Sequence, residues 1–233
     1  MAATPGSLAQ RLDAVELMDD PALDAATYHA VLDDLARVNR LTFAYRPTLS
    51  FLRRAVRRGR HLRVLDVGFG DGDMLRWIAR WAARRGLAVE LTGIDLNPRS
   101  KATAEAKRSP QPIRYLAGDY AGLAGEGFDC VISSLVAHHM TPDQLVAFLR
   151  FMEREAAVGW FVNDLHRHRL AYAVWPLLAS TMSWHRIVRL DGHTSIARSF
   201  RPDEWRALLA HEALDHARVR RWFPFRLCVE RLR

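Results

Sequence analysis

The 233-residue sequence predicts an α/β chain wound about a mostly parallel sheet. Two observations carry the prediction. The apolar run Leu62–Val67 lacks alternation, as expected of a strand covered on both faces, and from Leu62 onward apolar strands alternate with amphipathic helices. Acids stand at the ends of successive runs (Asp95, Asp119, Asp164), where an open α/β sheet gathers its ligand.

Each element has a local reason. Asp20-Pro21 predicts a helix through Tyr28, Leu32, Leu35, Val38 and Leu41, apolar positions three or four apart, and a second short helix after Pro47 using Leu49, Leu52 and Val56. The first strand ends in a turn with Gly68, Gly70 and Gly72, and a helix follows from Asp73 to Arg85 with Leu75, Ile78, Ala79 and Ala82 on one face. A second strand ends at Asp95, with Pro98 suited to the first helical position. Residues 113–120 supply a third strand tip running into a glycine-dotted loop, 128–134 a fourth strand, 142–157 a helix, and 159–164 a fifth strand. The apolar segment 170–178 predicts a helix kinked or restarted at Pro176, and Asp191-Gly192 predicts a turn. Arg201-Pro202 with Asp203 and Glu204 opens another helix, and the tail predicts a hairpin bent around Pro224.

Composition narrows the function. The net charge of +8 is almost all arginine, with lysine only at Lys101 and Lys107. The densest run, Arg53–Arg60, reads as a solvated helix face or as a footprint for RNA or acidic lipid. Aromatics do not interleave with it, so nucleic acid is not favoured. The sequence offers no apolar stretch long enough to span a bilayer and no secretory pattern at its start. Cys130 and Cys228 read as buried, reduced thiols, and no metal site is predicted. The expected location is the cytoplasm. Nothing bears on oligomeric state.

The glycine turn says more. The order at Asp66, Gly68, Gly70 and Gly72 is D-x-G-x-G-x-G, not the G-x-G-x-x-G of a dinucleotide turn. With the acids at Asp95 and Asp119, it resembles the class I S-adenosylmethionine (SAM) methyltransferases over roughly the central half of the chain. The resemblance implies a doubly wound, seven-stranded Rossmann-like sheet with an antiparallel last strand. It also implies SAM as cofactor and S-adenosylhomocysteine (SAH) as product. Cofactor contacts would then fall on Asp66, Gly68, Gly70, Gly72, Asp95, Leu96, Asp119, Tyr120 and Ser134, with Asp95 on the ribose and Asp119 and Tyr120 at the adenine. Residues 1–60 would form an N-terminal helical lid on the SAM-binding domain of 61–233. The aromatic insert at about 165–200 would recognise the acceptor.

Methyl transfer to a hydroxyl is helped by a base. The fourth and fifth strands are neighbours in the expected order, so His138 or His139 can face Asp164. A carboxylate beside imidazole sets its tautomer and raises its basicity. His139 is the first choice of base, His138 the second, and Asp164 the orienting group. His166, Trp184 and Arg198 are the expected acceptor contacts. The segments 163–168 and 195–205 are similar to bacterial small-molecule O-methyltransferases of the ubiquinone or phenolic natural-product type. That implies a phenolic or quinonoid acceptor in secondary metabolism, with C-methylation open. The alternatives are an RNA-directed methyltransferase and a non-catalytic SAM-binding partner protein.

Overall fold

The computed structural model describes residues 8–56 and 61–233. Most of the arginine run, from Arg57 to Arg60, lies outside the described residues, as does the start of the chain.

One seven-stranded sheet organises the molecule, in the order β3-β2-β1-β4-β5-β7-β6. The strands are β1 (His61–Val67), β2 (Ala88–Asp95), β3 (Ile113–Ala117), β4 (Phe128–Ser134), β5 (Ala156–Leu165), β6 (Arg218–Trp222) and β7 (Arg226–Leu232). β1 to β5 are parallel, and β7 inserts antiparallel between β5 and β6. β1 and β4 are centred in the sheet and nearly fully buried, which is why their runs do not alternate.

The helices are α1 (Ala25–Leu41), α2 (Tyr45–Val56), α3 (Asp73–Ala83), α4 (Pro98–Glu105), α5 (Pro142–Glu155), α6 (Arg169–Thr181), α7 (Arg186–Arg198) and α8 (Pro202–His211). α5 opens with a capping box in which Thr141 and Gln144 satisfy each other's backbone N–H groups. The two sheet faces carry separate cores, one around Phe148, Trp160 and Trp205, the other around Phe51, Ile78 and Phe161.

Four local expectations are corrected. α1 starts at Ala25, because Asp24 caps it by accepting from the Thr27 N–H at 2.9 Å; Asp20-Pro21 lies in a preceding turn. α2 starts two residues before Pro47, which sits in its first turn, where a missing N–H costs nothing. α6 runs through Pro176 without restarting. Asp191-Gly192 is not a turn but the middle of α7. The Asp191 carboxylate reaches outward, accepting from the N–H groups of Leu17 (2.8 Å) and Met18 (2.9 Å), and a Cβ on Gly192 would run into the Trp175 ring. Tertiary contacts use both residues for purposes that their turn propensity does not show.

Candidate active site

A cavity of about 820 Å³ opens at the carboxyl ends of β1, β2, β4 and β5. Tyr28, Val31, Leu32 and Leu35 of α1 form one wall, and Trp175 of α6 with Val188 and Ile196 of α7 form another.

The glycine turn makes its floor. Gly68, Gly70 and Gly72 all have positive φ (76°, 57° and 75°). A Cβ on Gly68 would strike Val136, and one on Gly72 the Tyr115 ring. The Gly70 N–H, which a phosphate-binding turn would aim at its ligand, donates instead to Asp95 Oδ2 at 2.9 Å. Asp95 Oδ1 accepts from the Asn97 N–H at 2.8 Å, while the Asn97 side chain caps α4.

Asp66 is buried, and its Oδ1 has no hydrogen-bond partner among the described residues. Burial pushes its carboxyl well above the usual range, and the fields of Asp73 and Asp95 push it further. Burial also raises Asp73, although Tyr45 Oη (2.7 Å) and Asn39 Nδ2 (3.1 Å) donate to it. Asp71 is neutralised separately by Arg76 and Lys107. Asp66 and Asp73 are thus left as acidic groups of the turn with no ion-paired cation among the described residues. That suits a ligand with a positively charged amino-acid end and disfavours a pyrophosphate, so the residues fit SAM and not a dinucleotide.

At the opposite end of the floor, exposed Asp119 accepts from the Ala121 N–H at 2.8 Å. The Tyr120 ring packs on Phe148 (5.1 Å) and Phe151 (4.8 Å). Leu96, 75% exposed, stands at the rim, and Ser134 at the end of β4 lines the cavity. All the cofactor residues expected from sequence except Gly72 line this cavity, and Gly72 opens α3 beneath it.

The histidines sit where the chain leaves β4. Leu135 takes a positive φ of 62°, and a 3₁₀ turn at Ala137–His139 follows. His138 is buried between two acids: Asp164 Oδ1 lies 2.7 Å from its Nδ1, and Glu16 Oε1 lies 3.4 Å from its Nε2. Burial disfavours charge on this ring, but the two carboxylates outweigh it and raise its pKa to about 9. His138 is thus cationic at neutral pH, and both acids are held below the carboxylate range. His139 is half-buried; its Nδ1 lies 3.1 Å from Asp19 Oδ2 and its Nε2 3.8 Å from Glu16 Oε2. Asp164 is thus brought to His138 and not to His139, the first choice as base, because β5 presents it beneath the turn.

Glu16, His138 and His139 place one ligand-type atom each within 4.8 Å of one another. Arg198 Nη1 lies 3.5 Å from Glu16 Oε1, and a proton on His138 fills the remaining space with positive charge. The cluster is built as ion pairs.

The expected acceptor contacts divide. His166 lines the cavity and is held neutral, its pKa lowered to about 4 by burial and by Arg221. Trp184 does not line it: the ring stacks on Trp175 at 5.7 Å within a small core with Val31 and Val188. Arg198 does not line it either, and braces the cluster from outside by donating to the His139 carbonyl at 3.4 Å. Glu16, Asp19 and Arg226 line the cavity without having stood out in sequence. Glu16 and Asp19 sit in a stretch without strong periodicity, and only the Asp191 caps bring them into place.

The family model described as a methyltransferase domain matches residues 64–157. The architecture agrees with several solved structures. Plantazolicin methyltransferase BamL, in complex with a triazolic desmethylPZN analog and SAH, is 14% identical at a TM-score of 0.61, over 81% of this chain and 70% of that one. A SAM-dependent methyltransferase from Aquifex aeolicus is 15% identical at 0.59, over 89% and 97%. Magnesium protoporphyrin IX methyltransferase from Synechocystis PCC 6803 with bound SAH is 15% identical at 0.56, over 92% and 89%. The fold is that of the SAM-dependent methyltransferases. An uncharacterized methyltransferase of Synechocystis, sll0829, is 33% identical over 124 residues, 52% of this chain and 54% of that protein. The match spans about half the length of that relative. Within this methyltransferase fold, the acidic glycine turn and the histidine cluster occupy one cavity. No helix among the described residues is long and apolar enough to cross a membrane.

Proposed function

We propose that this protein is a SAM-dependent methyltransferase acting on a hydroxyl of a small aromatic acceptor, phenolic or quinonoid. The supporting observation is that one cavity joins a glycine turn, whose Asp66 and Asp73 have no ion-paired cation among the described residues, to an imidazole cluster. Plantazolicin and magnesium protoporphyrin IX, the molecules named for two of the similar structures, are in keeping with a non-macromolecular acceptor.

When bound, SAM supplies a methyl group already activated on a sulfonium. The residues of this chain do the rest. Asp66 would hold the cationic amino-acid end, Asp95 the ribose hydroxyls, and Asp119 with Tyr120 and Leu96 the adenine. His139 receives the acceptor proton at Nε2, and Asp19 sets its tautomer through Nδ1. Cationic His138, clamped by Asp164, keeps Glu16 ionised and in place beside His139. The α1, α6 and α7 walls exclude water. Loss of a phenolic proton also activates ring carbons, so C-methylation would use the same arrangement.

Calorimetry with SAH, with NAD⁺ as control, tests the cofactor. Binding of NAD⁺ and not SAH overturns the reading. Transfer of a labelled methyl group across a panel of phenols and hydroquinones tests the acceptor class. Catalysis only on RNA, lost steeply with rising salt, would overturn that part.

A further inference from the structure

Arg226 begins β7, paired across the sheet with Leu165 at the end of β5. It is only 3% exposed, yet it lines the cavity. A buried guanidinium is normally matched by an acid, because an unpaired charge in the interior is expensive. Here no carboxylate among the described residues lies within ion-pair distance, and the undescribed residues contain no Asp or Glu. Among the described residues its one side-chain hydrogen bond runs from Nη2 to the neutral Asn39 Oδ1, at 3.2 Å. Nη1 is buried without a hydrogen-bond partner. Asp164 and Asp73 favour its charge only from longer range, and burial lowers its pKa in spite of them.

Arg226 has acids nearby that could have paired with it. Asn39 stands between it and Asp73, donating to the acid and accepting from the arginine. Asp164 is committed to His138. The two donors on Nη1 are thus without a protein partner, in a residue that itself lines the cavity. A guanidinium matches the planar two-oxygen geometry of a carboxylate.

We propose that Arg226 is a carboxylate-binding residue of the cleft, completed by the carboxylate of a bound ligand. Two sources share this chemistry, the amino-acid end of the cofactor and an acidic substituent on the acceptor. The assignment builds on the functional reading above for the names of these ligands. The unpaired guanidinium calls for an anion in either case.

The test uses the full chain and the variants Arg226→Gln and Arg226→Lys, with folding checked by thermal unfolding. Benzoate alone is titrated first, read as a shift in melting temperature. It should stabilise the wild type and leave Arg226→Gln unmoved. This arm needs no nucleoside, so failure of cofactor binding and failure of this assignment are read separately. Calorimetry then compares SAH with its analogue lacking the α-carboxylate. It also compares 4-hydroxybenzoate with 4-hydroxybenzyl alcohol. At least one acid should bind the wild type tenfold or more tightly than its uncharged counterpart. Arg226→Gln should abolish that preference and Arg226→Lys keep part of it. The pair that shows the preference names the source. Absence of preference in every pair, or a preference that survives in Arg226→Gln, overturns the proposal.

Discussion

Asp164 grips His138 twice, with Oδ1 at 2.7 Å from the ring Nδ1 and Oδ2 accepting the backbone N–H at 2.9 Å. A buried acid from β5 thereby sets both the rotamer of the ring and the path of the loop that carries it. Glu16 closes the other side of the ring, Arg198 balances Glu16, and Asp19 and His139 stand next to them.

Breaking this grip should be costly and dependent on pH. Removing one member of a buried pair costs about 3–5 kcal/mol, so Asp164→Asn should unfold at markedly lower urea near neutral pH. The folded pKa of His138, about 9, is above its ordinary 6.5, so its stabilising share is complete below 6.5 and is lost as pH rises through 9. Asp164 is held below 3.8, so its share is complete above 3.8 and is lost only in stronger acid. The stability gap between wild type and Asp164→Asn should therefore be widest between these limits and narrow toward alkaline pH. Urea titrations at about pH 6 and about pH 9.5 that show equal gaps would refute the coupling.

His139→Ala should lower turnover by about 10²–10⁴, the usual worth of a general base. SAH affinity should hold, because His139 is not among the expected cofactor contacts. Parallel losses of turnover and affinity would make His139 a structural residue.

Asp95→Ala should weaken SAH binding by about 1–3 kcal/mol, the scale of a lost charged hydrogen bond. It also strands the N–H groups of Gly70 and Asn97. Asp95→Asn keeps an acceptor for one of them, and should restore more stability than affinity. Calorimetry beside thermal unfolding separates the two effects.

Gly192→Ala tests the fold where local propensity and tertiary packing disagree. Inside a helix, glycine to alanine ordinarily gains about 1 kcal/mol. Here the new Cβ meets the Trp175 ring, so the substitution should destabilise by about 1–3 kcal/mol, as overpacking does. A rise in melting temperature would show that α6 and α7 have room between them.

The elements legible in the sequence are those whose causes are local. The D-x-G-x-G-x-G turn and Pro98 at the start of α4 each hold partner and cause within a few residues. The acids of the cavity floor were legible for a related reason: in a parallel sheet every strand delivers its last residue to the same edge, so order along the chain becomes neighbourhood in space.

The tertiary structure decided what depends on contacts between distant segments. Which histidine meets Asp164 turns on the path of the chain after Leu135. Glu16 reaches His138 only because Asp191, 175 positions later, caps the N-terminal turn that carries it. Trp184 stands outside the cleft lining, stacked on Trp175 in a small core that Val31 shares. Arg226 gained meaning when burial removed water and left its Nη1 unpaired. Periodicity and caps report forces a few residues apart, whereas burial and charge pairing arise only once the chain has closed on itself.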